Sequence, residues 1–412
     1  MPPRKLPAAV SSAAPVKKVS PLAQTRALIT KAFPKDESLV EIDEDAFKES
    51  RPHIPTGSIV VDYLIGGRLN RHNVRPCPGL PKRCIVNLYG QESSGKTTLA
   101  LTAAAMTCAS GGTVGYIDWE NAIDITYAKN LGVPIDDPEQ FALYQPESLE
   151  KGLAILWTMA KAGVDLIVID SVGAGIPEGK LEQTVKEKGE MGRIGLNAAK
   201  WSALLPELKG VINKTGSCII GISQLRKKIG MTGYGGDDTQ AQGGEAWKFY
   251  SEVRMGLKRI AQEKGTEYNA VTHKVEDAVV GQTVRCKIDK CKVSASQGKT
   301  ADYYIRFGEG IDDLRSIIEI TVAHGIVKKA GAWLTFERPN GTTIKEGSLE
   351  KFKDRVKDTE GVWDELYTAA IRAMSEKPGS FIGKAPTDND DDDLSDLDAI
   401  LADAAPAPAE EE

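Results

Sequence analysis

The sequence predicts an α/β fold: a mostly parallel central sheet flanked by helices, a short N-terminal helix and a small α+β unit near the C-terminus. Apolar runs at Cys84–Tyr89, Thr113–Asp118, Asp165–Asp170 and Cys218–Ser223 alternate with helix-patterned stretches at Thr97–Ala109, Leu149–Ala162 and Leu196–Ile212. Continuous apolar strands separated by helices belong to a parallel sheet covered on both faces. After residue 250 the runs crowd together, at Val253–Ile260, Thr283–Val293 and Ala301–Phe307. These read as antiparallel additions to the sheet edge. A phosphate-loop motif at the first strand–helix junction is the third observation.

In chain order, residues 1–50 are a leading segment. It is rich in Pro, Ala and Ser through residue 22 and carries Arg4, Lys5, Lys17 and Lys18, the composition of a flexible arm. Apolar residues then recur at helical spacing from Leu22 to Phe33. A basic, acid-free start is also the composition of an organelle transit peptide. Residues 51–310 hold the sheet. Residues 311–378 form the smaller unit, with helical patterns at Arg315–His324 and Trp363–Met374. Residues 379–412 are an acidic tail of low complexity, expected to be disordered.

The formal net charge of −6 hides an asymmetry. Residues 388–412 carry eleven acids and no Lys or Arg, and residues 1–35 carry seven basic residues and no acid. The body between them is close to neutral, so affinity for nucleic acid must come from local loops and the arm. The six cysteines show no C-x-x-C spacing, and several lie in apolar runs. They fit a reducing compartment, and the cytoplasm is the expected location. No apolar run is long enough to cross a bilayer, so no membrane partner is expected.

Gly90-Gln91-Glu92-Ser93-Ser94-Gly95-Lys96-Thr97 matches G-x-x-x-x-G-K-[ST]. Glycines let successive N–H groups turn inward on phosphates, and the helix that follows points its positive end at them. Lys96 reaches the β- and γ-phosphates of ATP, and the Thr97 hydroxyl coordinates Mg²⁺. Leu166–Asp170 is a buried strand ending in an acid; Asp170 is placed to hold Mg²⁺ through water. Val114–Glu120 is a second such strand, and its Glu120 is placed to orient and deprotonate the attacking water.

From these residues outward the chain resembles the bacterial RecA family and its phage relatives. The resemblance runs through Pro55-Thr56-Gly57-Ser58 with Asp62 and Gly66-Gly67, then Glu92–Leu99 (including Thr98) and Ile117-Asp118-Trp119-Glu120. It continues through Gln224–Gly230, Gly243-Gly244, Lys248-Phe249-Tyr250, Gly308-Glu309-Gly310-Ile311 and Lys329–Trp333. It covers roughly residues 50–335 and implies a RecA-type P-loop ATPase core, with residues 1–50 including a polymerisation segment. It implies that Asp124 and Tyr127 contact adenine, that Gln224 senses the γ-phosphate, and that Lys290 and Lys292 reach the ATP of a neighbouring subunit. A lysine supplied in trans makes hydrolysis depend on assembly. On their own the lysines read equally as a solvated strand face, since they largely alternate with apolar residues.

Two Gly-rich segments interrupt the core, at 187–195 and 230–244. The expected DNA contacts are Lys188, Arg193, Ile194, Gly195 and Lys200 around the first, and Arg226, Lys227, Lys228, Met231, Tyr234, Gly243 and Gly244 around the second. Lysines, arginines and glycine N–H groups suit phosphates, and apolar or aromatic tips suit bases of any sequence. The second loop is slightly longer than the family pattern, with its aromatic displaced. The Arg-rich connection Arg68–Arg83 has no counterpart in that pattern. Leu394, Leu397, Ile400 and Leu401 lie at helical spacing in the acidic tail, a docking helix for a protein partner. The tail reads equally as simple solvation or as a DNA mimic.

The expected function is an ATP-dependent recombinase that forms filaments on single-stranded DNA and exchanges strands with homologous duplex DNA. By resemblance it would act in repair and the SOS response to DNA damage. A ring-forming motor such as a helicase, and an ATP-switched scaffold coating single-stranded DNA, are the alternatives.

Overall fold

The parallel strands of the central sheet form where the chain is apolar on two faces at once. The computed structural model describes residues 20–32, 48–178, 190–227, 239–241, 244–269 and 273–376, with the backbone alone at 190–194, 226, 227, 239–241, 267–269 and 376. The chain divides into two units, Met1–Ala46 and Phe47–Glu412. The described part of the first is helix α1 (Pro21–Ala32), opened by Ser20, whose Oγ accepts from Ala23 N at 3.1 Å.

The second unit begins with strand β1 (His53–Ile54), helix α2 (Ile59–Gly66) and strand β2 (Leu80–Pro81), which pairs with β1. Then β3 (Ile85–Gly90), α3 (Lys96–Ala109), β4 (Val114–Asp118), α4 (Ile125–Asn130), β5 (Phe141–Tyr144), α5 (Leu149–Ala162), β6 (Leu166–Asp170), α6 (Glu190–Thr215) and β7 (Cys218–Lys227) follow. β8 (Thr239–Ala241) folds back on β7, and α7 (Glu245–Tyr250) leads into a long hairpin, β9 (Val253–Asn269) and β10 (Lys274–Cys291). β11 (Thr300–Arg306) and β12 (Gly310–Ile311) complete the sheet. Helix α8 (Asp313–Ala323), a three-stranded antiparallel sheet of β13 (Val327–Ala330), β14 (Trp333–Glu337) and β15 (Thr343–Glu346), and helices α9 (Leu349–Asp358) and α10 (Val362–Glu376) close the described chain.

The sheet order is β12-β11-β10-β9-β3-β7-β6-β4-β5, with β8 paired to β7. From β9 to β5 the neighbours are parallel; from β9 to β12 they are antiparallel. Successive strand residues feed opposite cores. Val86, Val168 and Ile220 join the core under α2 and α3, while Ile85, Ile167 and Ile219 join the core under α5, α6 and α7. Ser148 caps α5 by accepting from Lys151 N, and Gly163 ends it in the left-handed conformation that glycine adopts without strain. In the second core Trp201 stands edge-on to Trp119 and Trp247, with ring centroids 6.1 and 5.0 Å apart. Gly221 is required there, since a Cβ would sit 2.2 Å from the Trp247 ring.

Three expectations are corrected. The strand read as Val253–Ile260 continues to Asn269, and its partner starts at Lys274 rather than Thr283. Beyond the sheet this hairpin buries little, so both faces are polar and no alternation marks it. The segment read as a Gly-rich connection up to Gly195 is helical from Glu190, as α6 extends over the glycines at 192 and 195. Part of the second segment, Thr239–Ala241, is strand.

The Arg68–Arg83 connection is a strap. Arg75 stacks on the Tyr63 ring of α2 at 4.4 Å and donates to Ile371 O at 3.4 Å and Ser375 Oγ at 3.2 Å on α10. A second tie joins α8 to α2: Asp313 Oδ1 accepts from Ile59 N at 2.8 Å. Burial raises the Asp313 carboxyl to about 7, although the Ile59 N–H opposes the shift. Its folded value lies above its unfolded one, so its contribution to stability is full below about pH 4 and is lost as pH rises towards 7. Asp313→Asn keeps the acceptor and removes the charge. Thermal melts are therefore expected to show this variant gaining on the parent between pH 4.5 and 8; equal gaps at both pH values contradict the assignment.

Candidate nucleotide-binding and catalytic site

Parallel register brings four strand ends to one edge. β3 ends at Gly90 opposite Gln224 of β7, and β4 ends at Asp118 opposite Asp170 of β6. The loop Gln91–Gly95 turns back to start α3 at Lys96, with Gly95 at φ +86°. A Cβ at Gly90 would lie 2.3 Å from Leu257 O, and one at Gly95 would lie 2.5 Å from Ile305 Cδ1. Both glycines are thus demanded by packing beneath the loop, and Gly95 by its positive φ as well. Gln282 Nε2 on β10 donates to Ser93 O at 3.2 Å and holds the loop from the side. Gln91, Glu92 and Ser93 are exposed and Ser94 is buried.

The Lys96 ammonium is buried and donates to Gly90 O at 3.1 Å, Gln91 O at 2.6 Å and Ser94 Oγ at 3.4 Å. Burial lowers its pKa, and the nearby Asp170, Glu120 and Glu92 carboxylates oppose that. Thr97 Oγ1 donates to Asp170 Oδ2 at 2.8 Å, and Tyr116 OH donates to the same oxygen at 2.8 Å. Burial raises the Asp170 pKa while these two donors lower it. A hydroxyl and a carboxylate in contact at a helix N-terminus form an oxygen donor set suited to a hard cation. Beside it stands a lysine whose partners are neutral oxygens, so it is available to phosphate.

Glu120 follows β4 and is exposed. Its Oε1 accepts from Ser171 Oγ at 2.6 Å and from Gln224 Nε2 at 2.9 Å. Buried Asp118 shapes the turn, accepting from Glu120 N, Ile123 N and Gln145 Nε2. Asp124 caps α4 by accepting from Tyr127 N at 3.0 Å, and Tyr127 OH lies 3.0 Å from Thr98 Oγ1. Sequence reasoning missed Tyr116, Asp118, Ser171 and Gln282 as parts of this network. Their signal was position: Tyr116 and Asp118 lie on the strand leading to Glu120, and Ser171 follows Asp170.

Lys290 and Lys292 are elsewhere. Lys290 pairs with Arg254, and Cys291 with Val253, which lies beside Val86 near the start of β3. Gln282, on the same strand, touches the phosphate loop. Eight residues of extended strand separate Gln282 from Lys290, about 26 Å. Neither lysine serves the phosphate loop of its own chain. Lys290 instead donates to Lys248 O at 2.9 Å and Phe249 O at 2.8 Å, capping α7, and Lys292 is exposed beside a cavity of about 430 Å³.

The expected DNA contacts are only partly described. Lys188, Lys228, Met231, Tyr234 and Gly243 lie outside the described residues, and Arg193, Ile194, Arg226 and Lys227 are described by backbone alone. Gly195 is exposed on α6. Lys200 pairs with Glu150 at 2.9 Å. Gly244, at φ +82°, lets α7 approach α6: a Cβ there would meet Ala198 Cβ at 2.7 Å. Lys200 and Gly244 thus have structural partners that the sequence did not reveal.

A Gly90→Ala substitution tests the loop geometry, because the clash is with backbone that cannot swing away. Titration of a fluorescent adenine nucleotide is expected to show affinity reduced at least tenfold, about 1.4 kcal/mol. Unchanged affinity means that the loop is not the phosphate site.

The family model described as the RecA N-terminal domain matches residues 21–312. Protein RecA of Chloroherpeton thalassium is 38% identical over 364 residues, covering 87% of this chain and 89% of its own. Protein RecA of Campylobacter hominis is 38% identical over 366 residues, covering 88% and 93%, and that of Chlorobaculum parvum 41% over 302 residues, covering 73% and 78%. The crystal structure of the RadB recombinase aligns with 63% of this chain and 98% of its own, with TM-score 0.42 and 19% identity.

Proposed function

This chain belongs to the RecA family, and from that premise we propose that it is a DNA-dependent ATPase and recombinase. It assembles as a helical filament on single-stranded DNA and exchanges strands with homologous duplex DNA. The observation that carries the reading is the convergence of Lys96, Thr97, Asp170, Glu120 and Gln224 at one edge of the sheet.

In this reading the N–H groups of 91–95 and Lys96 hold the ATP phosphates, and Asp124 and Tyr127 approach adenine. Thr97, with Asp170 through water, holds Mg²⁺, which when bound neutralises phosphate charge. Glu120 has one oxygen occupied by Ser171 and Gln224, and the other accepts the proton of the attacking water. Gln224 leaves Glu120 to meet the γ-phosphate. Gln224 lies on β7, the same strand as Arg226 and Lys227, so a shift of Gln224 towards the nucleotide is passed along that strand. The remote position of Lys290 and Lys292 supports their action on a neighbour's nucleotide, in which case turnover requires stacked subunits.

The finer assignments belong to the same proposal: the leading arm to 50, the ATPase core 51–310, the C-terminal unit 311–378 and the acidic tail as a partner site. So do the DNA contacts from Lys188 to Lys200 and Arg226 to Gly244, a cytoplasmic location and a part in the SOS response. Among the described residues no helix is long and apolar enough to cross a membrane.

Electron microscopy with single-stranded DNA, Mg²⁺ and a non-hydrolysable ATP analogue is the first test. Helical filaments needing both ligands are the expected outcome; closed rings would turn the reading to a motor, and isolated monomers would remove the trans role of the lysines. Glu120→Gln is expected to lower kcat by roughly 10²–10⁴-fold with nucleotide still bound. Normal turnover by that variant excludes Glu120 as the base.

A further inference from the structure

We infer that Tyr116 is a positioning residue of the metal site: its hydroxyl fixes one oxygen of Asp170 so that the other faces the cation. The inference rests on the proposed role of Asp170 and goes beyond it. Tyr116 lies in the middle of β4, two residues before Asp118, with a buried ring packed against Phe141 at 6.4 Å between centroids. A phenol so placed is unusual in a strand apolar on both faces, because its O–H needs a partner when buried. The partner it has is Asp170 Oδ2, at 2.8 Å.

That oxygen also accepts the Thr97 hydroxyl, at 2.8 Å. Two donors converge on Oδ2, one from the helix that carries the metal-binding hydroxyl and one from the neighbouring strand. Both described side-chain donors to Asp170 therefore fall on one oxygen, leaving Oδ1 for the water that links it to the ion. The two anchors differ. Thr97 is itself a ligand and must adjust to the cation, whereas Tyr116 is held by a rigid ring in a rigid sheet. Tyr116 is thus the fixed point that sets the carboxylate plane before the cation arrives. Groups that orient ligands from one bond further out typically change metal affinity 10–100-fold when removed.

Tyr116→Phe deletes one oxygen and keeps the ring, so the core under β4 stays filled. The experiment uses the full chain and a fluorescent ADP analogue. Its affinity is measured in EDTA, and its Mg²⁺ dependence by titration with MgCl₂. The expected result is a Mg²⁺ midpoint raised about tenfold in Tyr116→Phe, with unchanged affinity in EDTA. Asp170→Asn runs in parallel. If Asp170→Asn raises the midpoint and Tyr116→Phe does not, the positioning role is overturned while the metal site stands. If neither variant moves it, the metal site itself is misassigned and the role of Tyr116 falls with it. If Tyr116→Phe weakens binding equally with and without Mg²⁺, Tyr116 acts only in packing, and the inference is likewise overturned.

Discussion

The alignment of the parallel strands is the constraint on which the rest depends. β3, β7, β6 and β4 are apolar on both faces, so each is locked to cores above and below. A slip of one residue would carry Val86, Val168 and Ile220 into the opposite core. Asn87 adds a polar lock, donating from β3 to Gly221 O at 3.0 Å and Ser223 Oγ at 2.8 Å on β7. Because the strands cannot slide, Gly90, Gln224, Asp118 and Asp170 arrive at one edge within hydrogen-bonding range of their neighbours. The site is a by-product of register before it is a product of its own residues.

The polar side chains of the site hold one another and the loop. Lys96 folds onto its own loop carbonyls, Thr97 onto Asp170, and Gln224 onto Glu120. Lys96, which is buried, would otherwise lose water without replacement. A phosphate offered to Lys96 exchanges neutral oxygens for charged ones, which makes a stronger bond.

The parallel core was legible because burial on both faces writes itself into continuous apolar runs, and because the phosphate loop has few chemical solutions. Lys96, Thr97 and Asp170 were read from those signals, and Glu120 from its strand end together with the family resemblance. Tyr116 and Ser171 were hidden because their meaning lies in contacts across strands: Tyr116 reaches Asp170 at 2.8 Å across fifty-four residues of chain. The hairpin beyond Ile260 was hidden for the opposite reason. It is paired by backbone bonds over polar side chains, and polar side chains carry no periodic signal. The roles of Lys290 at α7, Lys200 beside Glu150 and Gly244 against Ala198 are also tertiary facts. The sequence reading gave Lys200 and Gly244 to DNA and left Lys290 between a neighbour's nucleotide and a solvated strand face.

The tryptophan stack has an optical consequence. Trp119 immediately precedes Glu120, Trp201 lies on α6 and Trp247 on α7, and the three indoles are nearly in contact. Transition dipoles at such separations couple, so the stack should dominate the near-ultraviolet circular dichroism and share excitation energy. Its rings belong to the turn that delivers Glu120, to the helix that runs over the glycines at 192 and 195, and to the helix that follows Gly244. A shift of any one of these three elements changes a single spectroscopic signal, and the protein therefore carries its own dye-free gauge of whether they move together.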